Sequence, residues 1–458
     1  MAKNEIHNYL RPGYHAHLIG IGGVSMAPLA EVLHGKGMVI TGSDAHESHV
    51  IEHLRSLGIS IAIGHHAENV QGADLIIRTA AVHDDNPEIA AARAAGIPVF
   101  ERAQAWGAIM QHYQNAVCIA GTHGKTTTTS MSTCIALAAQ ADPTVMIGGT
   151  LPVLGANHRV GHGDTIILES CEYCNSFLSF FPTLAVILNV EADHLDFFHD
   201  LADIQHSFRT FAELVPKETG LVIANWDDPS VRKTLEGIDR KVLTFGLDEG
   251  DLHVANLTWN KGLPTFDIMA EGKRYAHVAL RVPGIHNVKD ALAASAAAYA
   301  LRFPGSAVER GLDDFRGAGR RFEHKGSYHG AEVYDDYAHH PAELKALLDA
   351  AQTLGYERII CAFQPHTYSR TKALFDDFVQ VLKQPDLTLL AEIFAAREDN
   401  TIGISSRDLQ QQVPGSRYFA TLPELTEYLK EIARPGDLIL TVGAGDIYTV
   451  GETLVSTQ

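Results

Sequence analysis

The sequence has little positive charge, and this deficit argues against one broad class of function. Lys and Arg together number 36 against 55 Asp and Glu, so the formal net charge is −19 at pH 7. A general nucleic-acid-binding protein needs a basic surface that displaces counterions from the phosphate backbone. We therefore expect no nucleic-acid partner, although small anionic ligands need only a few local cationic groups.

Long apolar runs and a targeting segment are also missing. The longest alanine-rich run, residues 291–301, is too short to span a bilayer. The N-terminal stretch MAKNEIHNYLRPGYHAH lacks the basic start and the apolar stretch of a signal sequence. We therefore expect a cytoplasmic protein without membrane insertion, and the sequence indicates no particular oligomeric state.

Cysteines are few, and their number is odd. Five cysteines scattered over 458 residues suit a reducing compartment rather than a disulfide framework. Cys171 and Cys174 form a C-x-x-C pair, which is typical of zinc or redox sites. Because no second pair stands at zinc spacing, we interpret the two residues as ordinary thiols.

The chain is too long for one hydrophobic core, and its apolar pattern predicts three α/β domains. Strand-like apolar runs alternate with helical segments and Gly-rich turns throughout. We predict a Rossmann-like N-terminal domain at residues 1–107 and a central domain of the P-loop ATPase type at residues 108–316. A C-terminal Rossmann-like α/β domain is predicted at residues 317–458.

Three glycines follow an apolar strand near the N-terminus. The stretch HAHLIGIGGVSMAPLAEVL predicts a strand, a turn containing Gly20, Gly22 and Gly23, and a helix; a second strand then ends at Asp44. Such glycines let a backbone approach a pyrophosphate at a helix N-terminus. The pattern leaves three interpretations open: a turn without a ligand, an NAD site and a UDP-sugar site.

The stretch CIAGTHGKTTTTSM resembles a phosphate-binding loop with one glycine displaced. The general pattern G-x-x-x-x-G-K-[ST] would place its first glycine at Ile119, but the glycine stands at Gly121. The functional end of the pattern, Gly124-Lys125-Thr126 at a predicted helix start, is intact. Lys125 is therefore expected to contact the β- and γ-phosphates, and the hydroxyl of Thr126 to bind Mg²⁺. A GKT sequence that occurs by chance in a loop is the alternative.

Acidic and polar residues follow two further predicted strands. DTIILES ends near Glu169, and TLAVILNV is followed by Glu191, Asp193 and His194. Because ligands bind at the carboxyl ends of parallel strands, we expect these residues to meet the glycine loop and supply oxygen ligands for Mg²⁺. The alternative is that Asp193 and Asp196 cap a following helix.

Seven segments, taken in order, resemble the Mur ligases of peptidoglycan synthesis. They are GTHGKTTTTSM, NVEADHLD, PGIHNVKDALAA, GRRFE, DDYAHHPAE, FQPHTYSRTKAL and GAGDI. The N-terminal HLIGIGGVSMAPLAEVL resembles the UDP-sugar domain of the same family, so the resemblance covers nearly the whole chain. The shortened glycine loop is the form of the motif that is found in this family.

The resemblance implies a ligase that depends on ATP and Mg²⁺. Members of the family phosphorylate a muramoyl carboxylate with ATP, and an amine then attacks the acyl phosphate. The segments are most similar to those of members that use UDP-N-acetylmuramate and L-alanine, and we expect these substrates here. Phosphoryl transfer depends mainly on positioning and charge neutralisation, which a lysine and two cations would supply.

The resemblance also assigns residues to the ATP and metal sites. Thr126 and Glu169 would bind one Mg²⁺, and His194 would help to bind a second. Lys125 and His194 are expected to act directly in catalysis. The expected ATP contacts are Gly121, Thr122, His123, Gly124, Lys125, Thr126 and Thr127 around the phosphates, His286 and Asn287 at the adenine, Arg321 at the phosphates and Asp336 at the ribose.

The remaining expected residues surround the other two substrates. In the third domain Arg370 would pair with the alanine carboxylate, and His339 would accept a proton from its ammonium group. Tyr337 and His366 would complete the amino-acid pocket. The UDP pocket of the first domain would be lined by Gly20, Gly22, Gly23, Ser25, Met26 and Asp44, with Arg78, Thr79 and Ala80 nearby.

The chain departs from the family pattern at three places. ESCEYCNSFL replaces E-x-D-E-S-D-x-S-F-L, so Cys171 and Cys174 stand at acidic positions while Glu172 remains. Arg209 lies in the region where several relatives carry a carbamoylated lysine, so no carbamate is expected. Thr367 stands where some relatives have arginine.

Other functions compatible with parts of the sequence are a ligase that attaches a preformed murein tripeptide, a P-loop ATPase switch and a Rossmann dehydrogenase. The tripeptide ligase shares most of the motifs. The switch would need no UDP-sugar domain, and the dehydrogenase would leave Lys125, Glu169 and His194 without a role.

Overall fold

The computed structural model describes residues 6–79, 82–194, 197–396 and 398–456. The predicted α/β fold is confirmed, and each of three sheets belongs to a separate domain. The sheets take up residues 15–101, 115–279 and 323–442. The predicted domain limit at residue 107 lies within a helix that spans Arg102–Met110, and the limit at residue 316 lies between the second and third sheets. Among the described residues, no helix combines the length and apolar character that a membrane span requires.

The first sheet is fully parallel, with strand order β3-β2-β1-β4-β5. Its strands are β1 (His15–Ile19), β2 (Val39–Asp44), β3 (Ser60–Ile63), β4 (Leu75–Arg78) and β5 (Val99–Glu101). The helices are α1 (Met26–Gly35), α2 (His49–Ser56), α3 (Pro87–Ala94) and α4 (Arg102–Met110). The chain reverses its direction of winding between β1 and β4, and ligands of open α/β sheets bind at such a point.

The second sheet has ten strands in the order β15-β14-β13-β12-β11-β10-β6-β9-β7-β8. The strands are β6 (Asn115–Ala120), β7 (Thr144–Leu151), β8 (Ala156–Arg159), β9 (Thr165–Glu169), β10 (Leu184–Ile187), β11 (Leu221–Asn225), β12 (Val242–Gly246), β13 (Leu252–Asn260), β14 (Leu263–Ala270) and β15 (Lys273–Ala279). The helices are α5 (Lys125–Ala138), α6 (Leu201–Glu213), α7 (Pro229–Leu235), α8 (Ile285–Ala300) and α9 (Gly305–Asp314). Helix α5 therefore begins at Lys125, at the predicted helix start.

Two hairpins at one edge of this sheet were not predicted. β13, β14 and β15 pair in antiparallel fashion, and β13 joins the parallel part of the sheet beside β12. Lys261 and Gly262 form the first turn with positive φ at both residues, and Glu271 and Gly272 form the second in the same way. Two-residue turns of this kind match the twist of paired strands. The pairs Lys261-Gly262 and Glu271-Gly272 were thus the sequence signal from which the two hairpins could have been predicted.

The third sheet has the order β16-β17-β21-β18-β19-β20, and only β16 is antiparallel to its neighbour. The strands are β16 (Glu323–Tyr328), β17 (Ala331–Asp336), β18 (Arg358–Phe363), β19 (Leu387–Ala391), β20 (Arg417–Phe419) and β21 (Asp437–Val442). The helices are α10 (Pro341–Gln352), α11 (Tyr368–Ala373), α12 (Phe375–Val381), α13 (Ser406–Gln412), α14 (Leu422–Ile432) and α15 (Tyr448–Ser456).

A buried carboxylate, Glu88, ties α3 to the first sheet. It accepts hydrogen bonds from Ser43 Oγ at 2.7 Å and Asn69 Nδ2 at 2.6 Å. His65 Nδ1 lies 3.0 Å from one carboxylate oxygen and His17 Nε2 3.6 Å from the other. Burial by itself would raise the pKa of Glu88, but hydrogen bonds from His17, Ser43 and Asn69 outweigh it and lower the pKa to about 2.

We expect Glu88→Gln to destabilise the first domain by about 1–3 kcal/mol, because Ser43, Asn69 and His17 lose a buried carboxylate acceptor. The folded pKa lies below the usual 4.5, so the carboxylate stabilises the fold above about pH 4.5 and loses this effect as the pH falls towards 2. Urea unfolding of the full chain between pH 3 and 7 measures both effects. Glu68→Gln, at an exposed position of the same domain, is the control. An acid dependence that is the same in both variants would contradict the prediction.

Candidate active site

The predicted phosphate-binding loop connects β6 to α5 at the carboxyl edge of the second sheet. Gly124 precedes α5 with φ of 81°, and a Cβ at this position would lie 2.6 Å from Asp290 Oδ1. Glycine is therefore required both by the backbone conformation and by the close approach. Because Gly124 has no side chain to cap the helix, the first N–H groups of α5 are available to an anion.

Lys125 is held in this loop by a buried carboxylate. Its Nζ donates to the carbonyl oxygen of Thr122 at 3.0 Å and lies 3.0 Å from Glu172 Oε2. Glu172 is 2% exposed. Burial alone would lower the pKa of Lys125, but the Glu172 carboxylate outweighs it and the pKa is raised. Lys125 is therefore charged at neutral pH.

Thr126 and Glu169, the expected metal ligands, lie beside two consecutive glycines of β7. Gly148 N donates to Glu169 Oε2 at 2.6 Å, and a Cβ on Gly149 would lie 3.4 Å from the methyl group of Thr126. The sheet thus brings a carboxylate and a hydroxyl together at the start of α5. His194, which has φ of 53°, lies with its Nε2 3.9 Å from Glu172 Oε1, so Glu172 faces both His194 and Lys125.

The acidic segment that follows β10 does not cap the next helix. α6 begins at Leu201, and Asp200 caps it by accepting a hydrogen bond from the N–H of Asp203. Asp193 instead points towards the third domain, and Asp196 lies outside the described residues. The capping interpretation is therefore wrong for Asp193.

A cavity of about 240 Å³ lies between the second and third domains, next to the glycine loop. The expected nucleotide-contact residues that line it are His123, Gly124, Thr126, Thr127, His286, Asn287, Arg321 and Asp336. Burial lowers the pKa of His286 to about 4, so its ring is neutral. Asp336 accepts hydrogen bonds from the N–H groups of Phe322 at 2.7 Å and Ala338 at 2.8 Å, so its carboxylate also fixes the start of the third domain.

His123 joins the loop to the third domain. Its Nδ1 lies 3.0 Å from Glu343 Oε1 on α10, and its Nε2 lies 3.4 Å from Glu191 Oε2. Burial would lower the pKa of His123, but Glu343 and Glu191 together raise it to about 9. The ring is therefore a cation at pH 7.

His123, Glu191 and His340 offer possible metal-ligand atoms within 4.8 Å of one another. However, His340 Nδ1 accepts the N–H of Ala342 at 3.3 Å, which places the ring proton on Nε2. The group therefore suits a protonated His123 between carboxylates better than a metal ion.

A second cavity of about 410 Å³ contains the residues expected around the amino acid. Expected residues in its wall are Asp193, His194, Tyr337, His339, His366 and Arg370. Arg370 Nη2 donates to Asp193 Oδ1 at 3.1 Å, which connects the second and third domains. Burial would raise the pKa of Asp193, but Arg370 outweighs this effect and lowers it. Thr367, Ser369 and Glu398 also line this cavity, and sequence analysis assigned them no role there.

His339 is a neutral histidine whose Nε2 has no hydrogen-bond partner among the described residues. Its Nδ1 lies 3.0 Å from the carbonyl oxygen of Tyr337, to which it donates, so the lone pair is on Nε2. Burial lowers the pKa of His339 to about 4, although Glu343 opposes this shift. The ring can accept a proton, but as a weak base.

Comparison with known proteins agrees with this architecture. The model described as "Mur ligase family, catalytic domain" matches residues 15–114, "Mur ligase middle domain" matches residues 119–298, and "Mur ligase, glutamate ligase domain" matches residues 320–445. The chain belongs to the Mur ligase family. The resemblance seen in the sequence is thereby confirmed.

Individual relatives match along almost their whole length. The UDP-N-acetylmuramate–L-alanine ligase of Agathobacter rectalis is 46% identical over 448 residues, which cover 96% of this chain and 97% of the relative. The crystal structure of the UDP-N-acetylmuramate-alanine ligase of Thermotoga maritima is 28% identical, with a TM-score of 0.81 over 97% of this chain and 98% of that chain. A murein peptide ligase of Psychrobacter arcticus has the same fold, with 23% identity and a TM-score of 0.73 over 97% of this chain and 98% of that chain.

In this Mur ligase the glycine turn of the first domain lies at the switch point between β1 and β4. Gly20 has φ of 77°, and a Cβ there would lie 2.8 Å from Thr79 Cγ2. Gly22 N donates to Asp44 Oδ2 at 2.9 Å. Neither cavity described above includes these residues, so the turn forms a separate part of the molecule. Ala80 lies outside the described residues.

The expected nucleotide contact of Met26 is not supported. Its side chain is 1% exposed and packs in the core of the first domain, and its N–H donates to the carbonyl oxygen of Gly23. Met26, Leu29, Ala30 and Leu33 stand at i, i+3, i+4 and i+7, which is the spacing of a core-facing stripe. This spacing was the signal for burial.

Two of the departures from the family pattern, Arg209 and the cysteine pair, can be described in the structure. Arg209 donates to the backbone carbonyl oxygens of Thr234, Glu236 and Gly237, so it ties α6 to the end of α7. Cys171 and Cys174 form no disulfide, and among the described residues neither belongs to a group of metal ligands. The most important residues that sequence analysis left without a role are Glu172 and Glu343.

Proposed function

We propose that this chain is an ATP- and Mg²⁺-dependent ligase that joins L-alanine to the carboxylate of UDP-N-acetylmuramate. The observation that carries the proposal is a single segment, residues 189–194, that forms a wall of both cavities. Asn189 and Glu191 face the first cavity, and Asp193 and His194 face the second. A nucleotide in the first cavity and an amino acid in the second would therefore approach each other at this segment, beside Lys125 and Glu172.

ATP binding would use the loop and the hinge between the second and third domains. The base would lie at His286 and Asn287, and the phosphates would lie at the N–H groups of α5. The ammonium group of Lys125 would then donate to phosphate oxygens instead of the carbonyl oxygen of Thr122. Arg321 also lines this cavity, and no carboxylate of the described residues lies within 4 Å of its guanidinium, so it is available to a phosphate.

The residues near the loop fit Mg²⁺. Thr126 and Glu169 offer a hydroxyl and a carboxylate oxygen, the hard donors that this ion prefers. His194 would serve a second ion through nitrogen, with Glu172 beside it. When bound, Mg²⁺ would neutralise charge on the transferring phosphoryl group.

The second cavity would hold L-alanine. Arg370 donates to Asp193 through Nε and Nη2 and contacts His366 through Nη1, so the alanine carboxylate would share or replace these partners to accept paired donors. His339 would accept the proton that the ammonium group loses, through the lone pair on Nε2. Closure of the domain interface over both cavities would keep water away from the acyl phosphate.

Substitution of Gly148 tests the metal assignment. A Cβ at this position would overlap the carboxylate of Glu169, so Gly148→Ala should raise the Mg²⁺ concentration needed for half-maximal activity by about 10- to 100-fold. Gly35→Ala, where a Cβ meets nothing within 4 Å, is the control. A Mg²⁺ dependence identical to that of the unmodified chain would argue against Glu169 as a ligand.

Phosphate release from Mg-ATP tests the proposed function. Release should require both UDP-N-acetylmuramate and L-alanine. Release with the murein tripeptide but not with L-alanine would instead identify a recycling ligase. Release that needs no UDP-sugar would favour an ATPase switch.

A further inference from the structure

Arg102, the first residue of α4, lies against the glycine turn of the first domain. Its guanidinium donates a hydrogen bond to Ser25 Oγ, and Ser25 is the last residue before α1. The carbonyl oxygen of Ser25 accepts a hydrogen bond from Trp106 Nε1 at 3.2 Å, and Trp106 is 1% exposed. One turn of α4 therefore fixes both the backbone and the side chain of Ser25.

The positive charge of Arg102 has no carboxylate partner within 4 Å among the described residues. Two other arginines of this domain are paired with carboxylates: Arg55 with Glu47 at 2.9 Å, and Arg78 with Asp84 at 2.6 Å. Arg102 is partly buried, and burial is the main reason that its pKa is lowered. The neighbouring Glu101 carboxylate offsets this burial only in part. A cation withdrawn from water without a direct ion pair is costly, and an anionic ligand would reduce this cost.

The surroundings of Arg102 also belong to the second domain. The thiol of Cys171, two residues after Glu169, is close enough to affect the pKa of Arg102. Asn157 Nδ2 donates to the carbonyl oxygen of Val24 at 2.6 Å, so β8 of the second domain reaches the same turn. The guanidinium is thus placed between the glycine turn and the segment that leads to the candidate metal ligands.

We propose that Arg102 binds the diphosphate of the UDP-sugar. The inference rests on the proposed function and adds a residue to it. Guanidinium pairs with phosphate through two parallel hydrogen bonds, and Ser25 Oγ holds the group in a fixed orientation. A diphosphate bound here would have uridine on the first domain, while the sugar and its carboxylate would extend towards Glu169 and Lys125. Arg102 is proposed as a binding residue and not as a catalytic one, because its contact is with the glycine turn at Ser25 and not with Lys125 or Glu169.

Equilibrium binding of uridine, UMP and UDP to the full chain tests this role by calorimetry. The unmodified protein should bind UDP more tightly than uridine. Arg102→Ala should weaken UDP binding by about 10- to 100-fold and leave uridine binding unchanged. Arg102→Lys should give an intermediate loss, because it keeps the charge without the paired donors. In steady state, KM for the UDP-sugar should rise while KM for ATP stays the same.

Arg93→Ala is the matched control, because Arg93 lies in the same domain, is about half exposed and pairs with Asp84. Unfolding midpoints of the three variants check that the domain is intact. UDP affinity that is equal in the unmodified chain and in Arg102→Ala would overturn the role of Arg102 alone. It would also be overturned if the variant lost uridine and UDP binding equally. A failure of the unmodified chain to bind UDP would overturn the proposed function itself.

Discussion

Replacing Lys125 by alanine should lower the rate of phosphate release, at saturating substrates, by about 10²- to 10³-fold or more. The expectation follows from the loss of a fixed cation at the site where charge develops during phosphoryl transfer. Lys125 is the charged side chain that the glycine loop presents from the first position of α5, and Glu172 keeps it protonated. The measurement is steady-state phosphate release with Mg-ATP, UDP-N-acetylmuramate and L-alanine.

A second variant separates the chemical effect from a folding effect. Lys125→Ala leaves Glu172 buried without its partner, which by itself is destabilising. The double variant Lys125→Ala with Glu172→Gln should recover part of the unfolding free energy but none of the rate. Lys289→Ala is the control, since Lys289 lines the cavity beside the glycine loop, is 40% exposed and lies 3.9 Å from Asp227. A Lys125→Ala rate within tenfold of the unmodified rate would contradict the assignment.

Arg370→Ala should reduce kcat/KM for L-alanine by about 10²- to 10³-fold, with a much smaller change in KM for ATP. Removal of one partner of a buried charge pair costs about 2–5 kcal/mol, and the alanine carboxylate loses its paired donors as well. Asp193 would then be a largely buried carboxylate without its Arg370 partner, which adds to the loss. Phosphate release measured against L-alanine concentration gives the two parameters.

Lys372→Ala is the matched control for this prediction, because Lys372 lies on the same helix and is exposed. Asp193→Asn provides a second comparison: it removes the negative charge but leaves the guanidinium in place. Asp193→Asn should weaken the binding of L-alanine less than Arg370→Ala does. If Arg370→Ala changed KM for ATP and left KM for L-alanine unaltered, Arg370 would be a phosphate ligand instead.

The parts of the site that were predictable from the sequence are those built from neighbouring residues. The glycine loop, the start of α5 at Lys125 and the acid at the end of β9 each follow from a local pattern of a strand followed by a turn. Such patterns determine where a strand ends and where a helix begins, and therefore where the backbone of a residue lies. The three-domain fold was predictable for the same reason.

Contacts between distant residues were not predictable in this way. His123 and Glu343 are 220 residues apart and meet only because the third domain packs over the loop. Glu172 and Lys125 are 47 residues apart and meet at 3.0 Å, and Glu172 precedes a kink at Cys174 and Asn175, whose φ values are 54° and 55°. A single sequence without chain geometry contains no signal for either contact. Met26 shows the converse, since its local spacing indicated burial while its place in the family motif suggested a ligand contact.

The pairing of Lys125 with Glu172 has a consequence for product release. A carboxylate fixed 3.0 Å from the ammonium group competes with any incoming anion at a very high effective concentration. A chelated triphosphate can win this competition because it makes many contacts at once. Orthophosphate, once cleaved from its carrier, makes few. Glu172 should therefore form its ion pair with Lys125 again after each turnover and displace the inorganic phosphate. The resting protein should then be only weakly inhibited by phosphate.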